Sequence, residues 1–195
     1  FGLPSRHTFG VSMATMQPLA KRIGTDQKLA LALWKSGWHE ARILCAFVAD
    51  PSNVTSSLMG AWCDDFDNWA VTDTMCLRLF TRSPQAWTKA RQWARRKGEF
   101  QKRAGFALIA CLASRDRLAP DAMFLRCFPL IEKGAADGRN YVKKGVSWAL
   151  RGIGHRNAAL HAAAIRLAAS LAARDRAQDR WVGKDVLREI GRAHV

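Results

Sequence analysis

The chain has 195 residues, of which 49% are hydrophobic, and it carries 31 Lys and Arg against 16 Asp and Glu. A net charge of +15, spread over the whole chain, attracts polyanions and favours nucleic acid as the partner; a membrane surface or plain solubility are the other interpretations. This length can bury a sizeable core, so the fold does not need disulfide or metal staples.

The cysteines are odd in number and have no C-x-x-C spacing. They fall inside apolar helical patterns, which predicts reduced core residues in a cytosolic protein and argues against a zinc site; they are Cys45, Cys63, Cys76, Cys111 and Cys127. We find no signal peptide and no apolar run of bilayer length. The expectation is a cytoplasmic protein, nucleoid-associated when bound to DNA, with no cofactor, no metal and no membrane contact.

Helical periodicity accounts for almost the whole chain. Apolar residues recur at spacings of three and four in nine segments, which in chain order are 26–37, 39–50, 57–66, 69–80, 84–96, 99–116, 120–134, 141–154 and 158–175. Turn residues separate these segments, and Asp26, Ser83 and Asp121 are candidate helix caps. No segment alternates as a strand would.

The helices follow one another as pairs of similar length joined by short loops. The second helices of several pairs contain Arg42, Asp73, Arg103 and Trp148, some 30 to 45 positions apart. We predict an all-α fold, a right-handed solenoid of HEAT-like two-helix repeats with a concave basic DNA-binding face. A compact helical bundle is the alternative.

The whole chain, 1–195, is predicted to be a single HEAT-like-repeat domain. It begins without a methionine, and its last seven residues, "EIGRAHV", can be encoded by a common sequencing adaptor. We therefore expect a domain truncated at both ends, with 189–195 derived from adaptor.

The segment "FDNWAVTD" contains a candidate catalytic carboxylate. In a helix, Trp69 and Asp73 lie one turn apart on the same side, with Trp62, Cys76 and Phe80 close to that stripe. The alternative is a helix-terminal or salt-bridged aspartate beside an ordinary core tryptophan. The neighbouring carboxylates are interpreted as caps and solvated charges; they are Asp64, Asp65 and Asp67.

The segment "YVKKGVSWALRGIGHR" contains a tryptophan on an unexpected face. A helical wheel places the apolar residues on one stripe, namely Val142, Val146, Ala149, Leu150 and Ile153. Trp148 lies on the other face, together with Lys144, Arg151 and His155. A large ring within a cationic stripe predicts a functional surface rather than core.

These segments together resemble the bacterial DNA alkylation repair enzymes built from HEAT-like repeats, which are alkylpurine DNA glycosylases. The resemblance covers most of the chain and rests on "LALALWKSGWHEARILCAFVAD", "WCDDFDNWAVTD", "FQKRAGFALIACLA", "DGRNYVKKGVSWALRGIGHRN" and "VLRE". The first repeat is short, and the segment before Ser12 has no clear counterpart. The resemblance implies that the active site comprises Trp69 and Asp73 of "WAVTD", Arg103 of "KRAGFAL" and Trp148 of "SWALR".

The chemistry of alkylated purines suits these residue types. An N3- or N7-alkylated purine is cationic, so it can leave as a neutral base without a general acid, and positive charge then develops on the sugar. Asp73 would stabilise that oxocarbenium-like sugar and position water, Trp69 and Trp148 would face it, and Arg103 would hold a phosphate. Further DNA contacts are expected from Arg42, Arg139, Lys143, Lys144, Arg151, His155 and Arg156.

Two functions are therefore carried forward. The first is a monomeric, monofunctional alkylpurine DNA glycosylase acting on double-stranded DNA that contains alkylated bases. The second is a non-catalytic HEAT-like module that binds DNA, another polyanion or a protein through its concave face. Asp73 discriminates between them, because a carboxylate in a basic groove weakens phosphate binding.

Overall fold

The computed structural model describes residues 7–191, and the chain divides into two compact units, residues 1–85 and 86–195. The described residues form twelve α-helices and two short 3-10 segments, with no strand among them, which confirms the all-α prediction. The prediction of one domain over 1–195 remains a prediction. Residues 192–195, part of the segment expected to derive from adaptor, lie outside the described residues.

The first unit contains α1 to α5 and both 3-10 segments. The helices are Met13–Ile23, Gln27–Lys35, His39–Val48, Ser56–Asp64 and Trp69–Arg78, and the 3-10 segments are Pro51–Asn53 and Phe80–Arg82. α2 packs against α3, and α3 packs against both α1 and α5. The helix that contains Arg42 is thus in contact with the helix that contains Asp73.

The second unit contains α6 to α12. These helices are Ala86–Trp93, Glu99–Arg115, Asp121–Leu125, Phe128–Ala135, Asn140–Gly154, Ala158–Ala172 and Ala177–Ile190. α6 packs on α7, α11 packs on α12, and α7 makes its most extensive contact with α10. The second helices of neighbouring pairs therefore stack within each unit, as HEAT-like repeats require.

Close approach of α7 and α10 depends on small residues at their interface. A Cβ atom on Gly152 of α10 would stand 3.3 Å from the Cα atom of Ala110 on α7. At Gly145, one helical heptad earlier, an added Cβ atom would stand 3.5 Å from Cγ of Arg103. The two glycines let the backbones pack closely, which sets the depth of the groove between the helices.

One of the three predicted helix caps is confirmed. The carboxylate of Asp26 accepts the N–H of Leu29 at 2.9 Å, which confirms it as the cap of α2. Ser83 ends the second 3-10 segment, and its hydroxyl accepts the N–H of Gln85 in the turn before α6, so it does not cap that helix. The prediction for Asp121 is wrong, because Pro120 holds the cap position and Asp121 is the first residue of α8.

The helices differ from the predicted segments in two ways. The segment 120–134 was expected to be continuous, but it forms α8 and α9, and Pro129 lies in the first turn of α9, where its missing N–H has no cost. Neither α1 nor α12 was among the predicted segments. Pro18 lies inside α1, which is nevertheless continuous, and α12 is rich in charged residues.

The segment ahead of α1 is attached to the first unit through a buried carboxylate. Glu40 of α3 accepts the hydroxyl of Thr8 at 2.6 Å and the N–H groups of Phe9 and Gly10 at 3.0 and 2.8 Å. Burial alone would raise the pKa of Glu40, but these donors lower it to about 2. The Phe9 ring stacks on Trp38 at 4.0 Å.

The five cysteines are all buried, as predicted. Burial raises the pKa of the Cys45 thiol to about 12. Among residues 7–191 no helix combines the length and the apolar character needed to cross a bilayer. Within the same range, no cluster of three or more His, Cys, Asp or Glu side chains is arranged to bind a metal ion.

Candidate functional site

The amino-terminal turn of α5 presents the predicted tryptophan–aspartate pair. Asn68 caps this helix by accepting the N–H of Val71 at 3.0 Å, and its backbone carbonyl accepts the hydroxyl of Thr72 at 2.7 Å. Trp69 is the first residue of α5 and Asp73 follows one turn later, which confirms the helical spacing. Both side chains are half-buried and reach solvent.

The remaining acidic residues of this region end helices and bind neighbouring side chains. Asp65 caps the carboxyl end of α4 and accepts the indole N–H of Trp34 at 2.8 Å. Asp67 accepts the side-chain amide of Asn68 at 2.7 Å. Asp64, Asp65 and Asp67 are all exposed, in agreement with the prediction of solvated charges, whereas the amino-terminal cap of α5 is Asn68.

Arg42 on α3 lies against Asp65. Its guanidinium stacks over the Trp34 ring at 4.9 Å and donates to the backbone carbonyl of Asp65 at 3.2 Å. The Asp65 carboxylate is 3.9 Å away. Arg42 is half-buried by these contacts, and its predicted role in binding DNA remains a prediction.

The helical wheel of α10 is confirmed. All five residues of its apolar stripe are fully buried, whereas Trp148 is half-buried and Lys144 and His155 are exposed. Trp148 lines a pocket of about 710 Å³ between α7 and α10 in the second unit. The lining residues are Ala110, Ala113, Ser114, Arg117, Trp148, Arg151, Gly152, His155 and Arg156.

The pocket has a small-residue floor and a cationic rim. Alanines of α7 and Gly152 of α10 form its apolar part, and three arginines and a histidine line the pocket together with the indole of Trp148. Its lining, all within the described second unit, includes no carboxylate, although Glu189 lies 3.7 Å from the guanidinium of Arg151. A surface of this kind suits a phosphate backbone beside an aromatic contact.

Five of the nine lining residues were not predicted from the sequence, and two of these five are polar, namely Ser114 and Arg117. The helical spacing of Ala110 and Ser114 places them one turn apart on α7, but no periodicity within that helix indicates Arg117. α7 ends at Arg115, so Arg117 reaches the pocket from the loop that follows.

Arg103 lies in a different environment from Trp148. It is 7% exposed, and its guanidinium donates to the backbone carbonyl of Tyr141 in the first turn of α10 at 2.7 Å. This hydrogen bond ties α7 to α10. The predicted contact between Arg103 and a phosphate remains a prediction.

Arg139 and Arg156, both predicted to contact DNA, form hydrogen bonds within the second unit. Arg139 binds both carboxylate oxygens of Asp137, at 2.9 and 2.6 Å, and donates to the carbonyl of Lys97 at 2.7 Å. This guanidinium holds the pKa of the Asp137 carboxyl well below its usual range, with help from Lys102. Arg156 donates to three backbone carbonyls and lies over a phenylalanine ring.

The lysines of α10 also differ from one another. The ammonium of Lys143 lies 4.8 Å from the centre of the Trp181 ring on α12, a cation–π contact, whereas Lys144 is exposed. Their contacts with DNA remain predictions. Two of the residues predicted to contact DNA are exposed here, namely Lys144 within α10 and His155 at the carboxyl-terminal cap of that helix.

The four predicted active-site residues belong to both units. Trp69 and Asp73 are in the first, and Arg103 and Trp148 are in the second. The first unit supplies a carboxylate and an aromatic ring, which suit a developing positive charge. The second supplies an aromatic ring among cations, which suits an anionic backbone.

Comparison with known proteins agrees with these features. A solved structure titled as "a new family of proteins related to the HEAT-like repeat DNA glycosylases with affinity for branched DNA structures" is similar, with a TM-score of 0.77 and 21% identity over 94% of this chain and 83% of that chain. This similarity shows the HEAT-like repeat fold. A designed armadillo repeat protein in complex with a (KR)4 peptide is less similar, with a TM-score of 0.46 and 11% identity over 90% and 91% of the two chains.

Sequence comparison is decisive at the level of the family. No curated protein matches the sequence significantly. The family model described as "DNA alkylation repair enzyme" matches residues 1–179, which is most of the chain. This chain therefore belongs to the DNA alkylation repair enzyme family.

Proposed function

We propose that this protein is a monofunctional alkylpurine DNA glycosylase, which hydrolyses the N-glycosidic bond of cationic N3- and N7-alkylated purines in duplex DNA. The observation that carries the proposal is Asp73, a half-buried carboxylate one helical turn from Trp69 in a protein of net charge +15. A protein that only binds phosphates gains nothing from a carboxylate at its DNA surface. A transition state that develops positive charge on the sugar does gain from it.

The reaction needs no general acid. Heterolysis of the bond between C1′ and the ring nitrogen returns the electron pair to the cationic base, which leaves neutral, and the positive charge moves to the sugar. Water then bonds to C1′ and loses a proton to solvent. Asp73 stabilises the sugar cation and orients this water, while the faces of Trp69 and Trp148 present negative π-density to the cation.

DNA binding is assigned to the cationic rim beside Trp148. Arg117 and Arg151 line that pocket, and Lys144 is exposed one turn before Trp148 on the same helix face. Such contacts to phosphates set the position of the duplex without reading its sequence. Arg103 lies in the same unit. We assign it the role of supporting the helix that bears Trp148, through its hydrogen bond to α10.

Release of bases from methylated DNA tests the activity. Purified protein is incubated with duplexes that contain one modified base, at one salt concentration, because the affinity of a protein of charge +15 depends strongly on salt. We expect release of 7-methylguanine and 3-methyladenine, whose charge makes them good leaving groups. Hypoxanthine, uracil and etheno-adenine should remain, since their removal requires protonation or a pocket for a flipped base. Efficient removal of any neutral base would contradict the charge-based mechanism.

The second candidate is a DNA-binding module without catalysis. The structural relative of TM-score 0.77 is described as having affinity for branched DNA, which favours a branched partner for this chain as well. Binding to a four-way junction and to a linear duplex of the same sequences distinguishes the two candidates. Tight junction binding with no released base would support the module, and base release would support the enzyme.

A further inference from the structure

The loop that joins α7 to α8 bears the most exposed large hydrophobic side chain among the described residues. Leu118 in this loop is 95% exposed. A single exposed leucine is ordinary on most protein surfaces. Two properties separate Leu118 from that background, namely the way its loop is held and the residues that lie beside it.

The loop is held at its first residue by a side chain of α6. The carboxylate of Asp116 accepts the indole N–H of Trp87 at 2.9 Å and the backbone N–H of Ala119 at 3.0 Å. The second bond closes the loop across Leu118. Because both carboxylate oxygens are engaged, the backbone on either side of Leu118 has a defined position.

A second anchor comes from the end of α10. The guanidinium of Arg156 donates to the carbonyls of Ala113, Asp116 and Ala119 at 2.7, 2.9 and 3.2 Å. It also stacks over the ring of Phe124 at 4.0 Å. Arg156 therefore satisfies carbonyls at the carboxyl end of α7 and holds both ends of the loop in one place. The backbone of residues 116–119 is hydrogen-bonded at both ends, yet the side chain of Leu118 between those ends is exposed to water.

The loop lies directly beside the cationic pocket. Arg117, the residue before Leu118, lines that pocket together with Trp148 and is itself exposed, as is Arg115 at the end of α7. An exposed apolar side chain that directly follows an exposed arginine on a hydrogen-bonded loop is suited to a polyanion with an apolar interior. Duplex DNA has this character, because its phosphates are outside and its stacked bases are inside.

We propose that Leu118 is an apolar wedge that inserts at a base step of duplex DNA, while Arg115 and Arg117 hold the adjacent backbone. This inference rests on the proposed action on DNA. Insertion withdraws the leucine from water and offsets part of the loss of base stacking. A loop already held by hydrogen bonds matters, because a mobile loop would lose conformational freedom on insertion. The wedge acts most readily where stacking is already weak, as at a damaged or missing base.

The test uses the whole chain and the variant Leu118→Ala. Two duplexes of one sequence carry the fluorescent analogue 2-aminopurine, one next to an abasic-site analogue and one fully paired. With the wild type we expect fluorescence to rise on binding, most strongly for the abasic duplex, since unstacked 2-aminopurine is brighter. Leu118→Ala should lose most of this rise and bind the abasic duplex about tenfold more weakly, the loss expected when one leucine side chain no longer buries its apolar surface.

Leu125→Ala is the matched control. Leu125 is also an exposed leucine of the second unit, 45% exposed at the end of α8, and its variant should behave as the wild type. Both variants should keep the melting temperature of the wild type. A wild type that binds DNA, with Leu118→Ala equal to it in fluorescence and affinity, would overturn the wedge and leave the proposed DNA binding intact. A wild type that binds neither duplex would overturn both.

Discussion

Two tryptophans, one in each unit, show that this residue type serves opposite purposes in this protein: Trp62 of the first unit belongs to the core, and Trp148 of the second unit lies at a pocket. In the first unit Trp34 and Trp62 are buried, their ring centres are 5.2 Å apart, and Phe80 stacks on Trp62 at 6.4 Å. In the second unit Trp148 is half-buried and shares a pocket with arginines. The difference lies in the helix face: an indole on the apolar stripe belongs to the core, and an indole on the opposite stripe remains available to a ligand.

The cations of the second unit divide in the same way. Lys144 and Arg156 were both predicted to contact DNA. Lys144 is exposed, whereas Arg156 satisfies backbone carbonyls and stacks on a ring. Positive charge in the sequence therefore does not distinguish a side chain that binds a polyanion from one that supports the fold.

Trp62→Ala tests the core side of this comparison and should have the largest effect. Trp62 is 3% exposed within a group of four aromatic rings, so its truncation leaves a cavity. We expect the free energy of unfolding to fall by roughly 3–5 kcal/mol. Chemical denaturation measures this change. A loss below about 1 kcal/mol would show that the surrounding rings collapse into the space.

Asp73→Asn tests the chemistry assigned to the first unit. The carboxylate stabilises charge that exists in the transition state, so its loss should lower the rate of base release by about a hundredfold or more. Affinity for DNA should stay equal or rise slightly, since one negative charge is removed. Asp175→Asn, at an exposed position, is the control for net charge. Full activity in Asp73→Asn, measured as released base, would contradict the assignment of Asp73 as the catalytic carboxylate.

Paired substitutions separate the two kinds of cation. Arg156→Gln should lower the free energy of unfolding by about 1–3 kcal/mol, because backbone carbonyls lose their donor. Lys144→Gln should leave stability unchanged. It should lower the slope of log DNA affinity against log salt concentration by the amount expected for about one lost phosphate contact. Thermal unfolding and salt titrations of DNA binding give both quantities. The reverse outcome would mean that Arg156, rather than Lys144, contacts the backbone.

Trp148→Ala should have a small effect on stability and a clear effect on function. Because Trp148 is only half-buried, its melting temperature should stay close to that of the wild type, while base release falls. Trp148→Phe keeps an aromatic face and should recover part of the activity. A destabilisation as large as that of Trp62→Ala would place Trp148 in the core and contradict the comparison.

Much of the fold follows from local patterns. The apolar stripe of α10, the cap at Asp26 and the turn that links Trp69 to Asp73 all depend on residues within one or two helical turns. Such interactions are encoded in short stretches of chain. Helical periodicity was not recognised in α1 and α12, one of which contains a proline and the other many charged residues.

The sequence by itself determined the helical class, the family and the face on which Trp148 lies. Only the tertiary structure decided which polar side chains form hydrogen bonds with distant parts of the chain. Arg103 donates to a carbonyl 38 residues away, and Glu40 binds a segment 30 residues before it. Arg156 and Asp116, 40 positions apart, meet at the loop that bears Leu118. The partners of a charged side chain depend on which helices stack together, and no periodicity within a single helix records that choice.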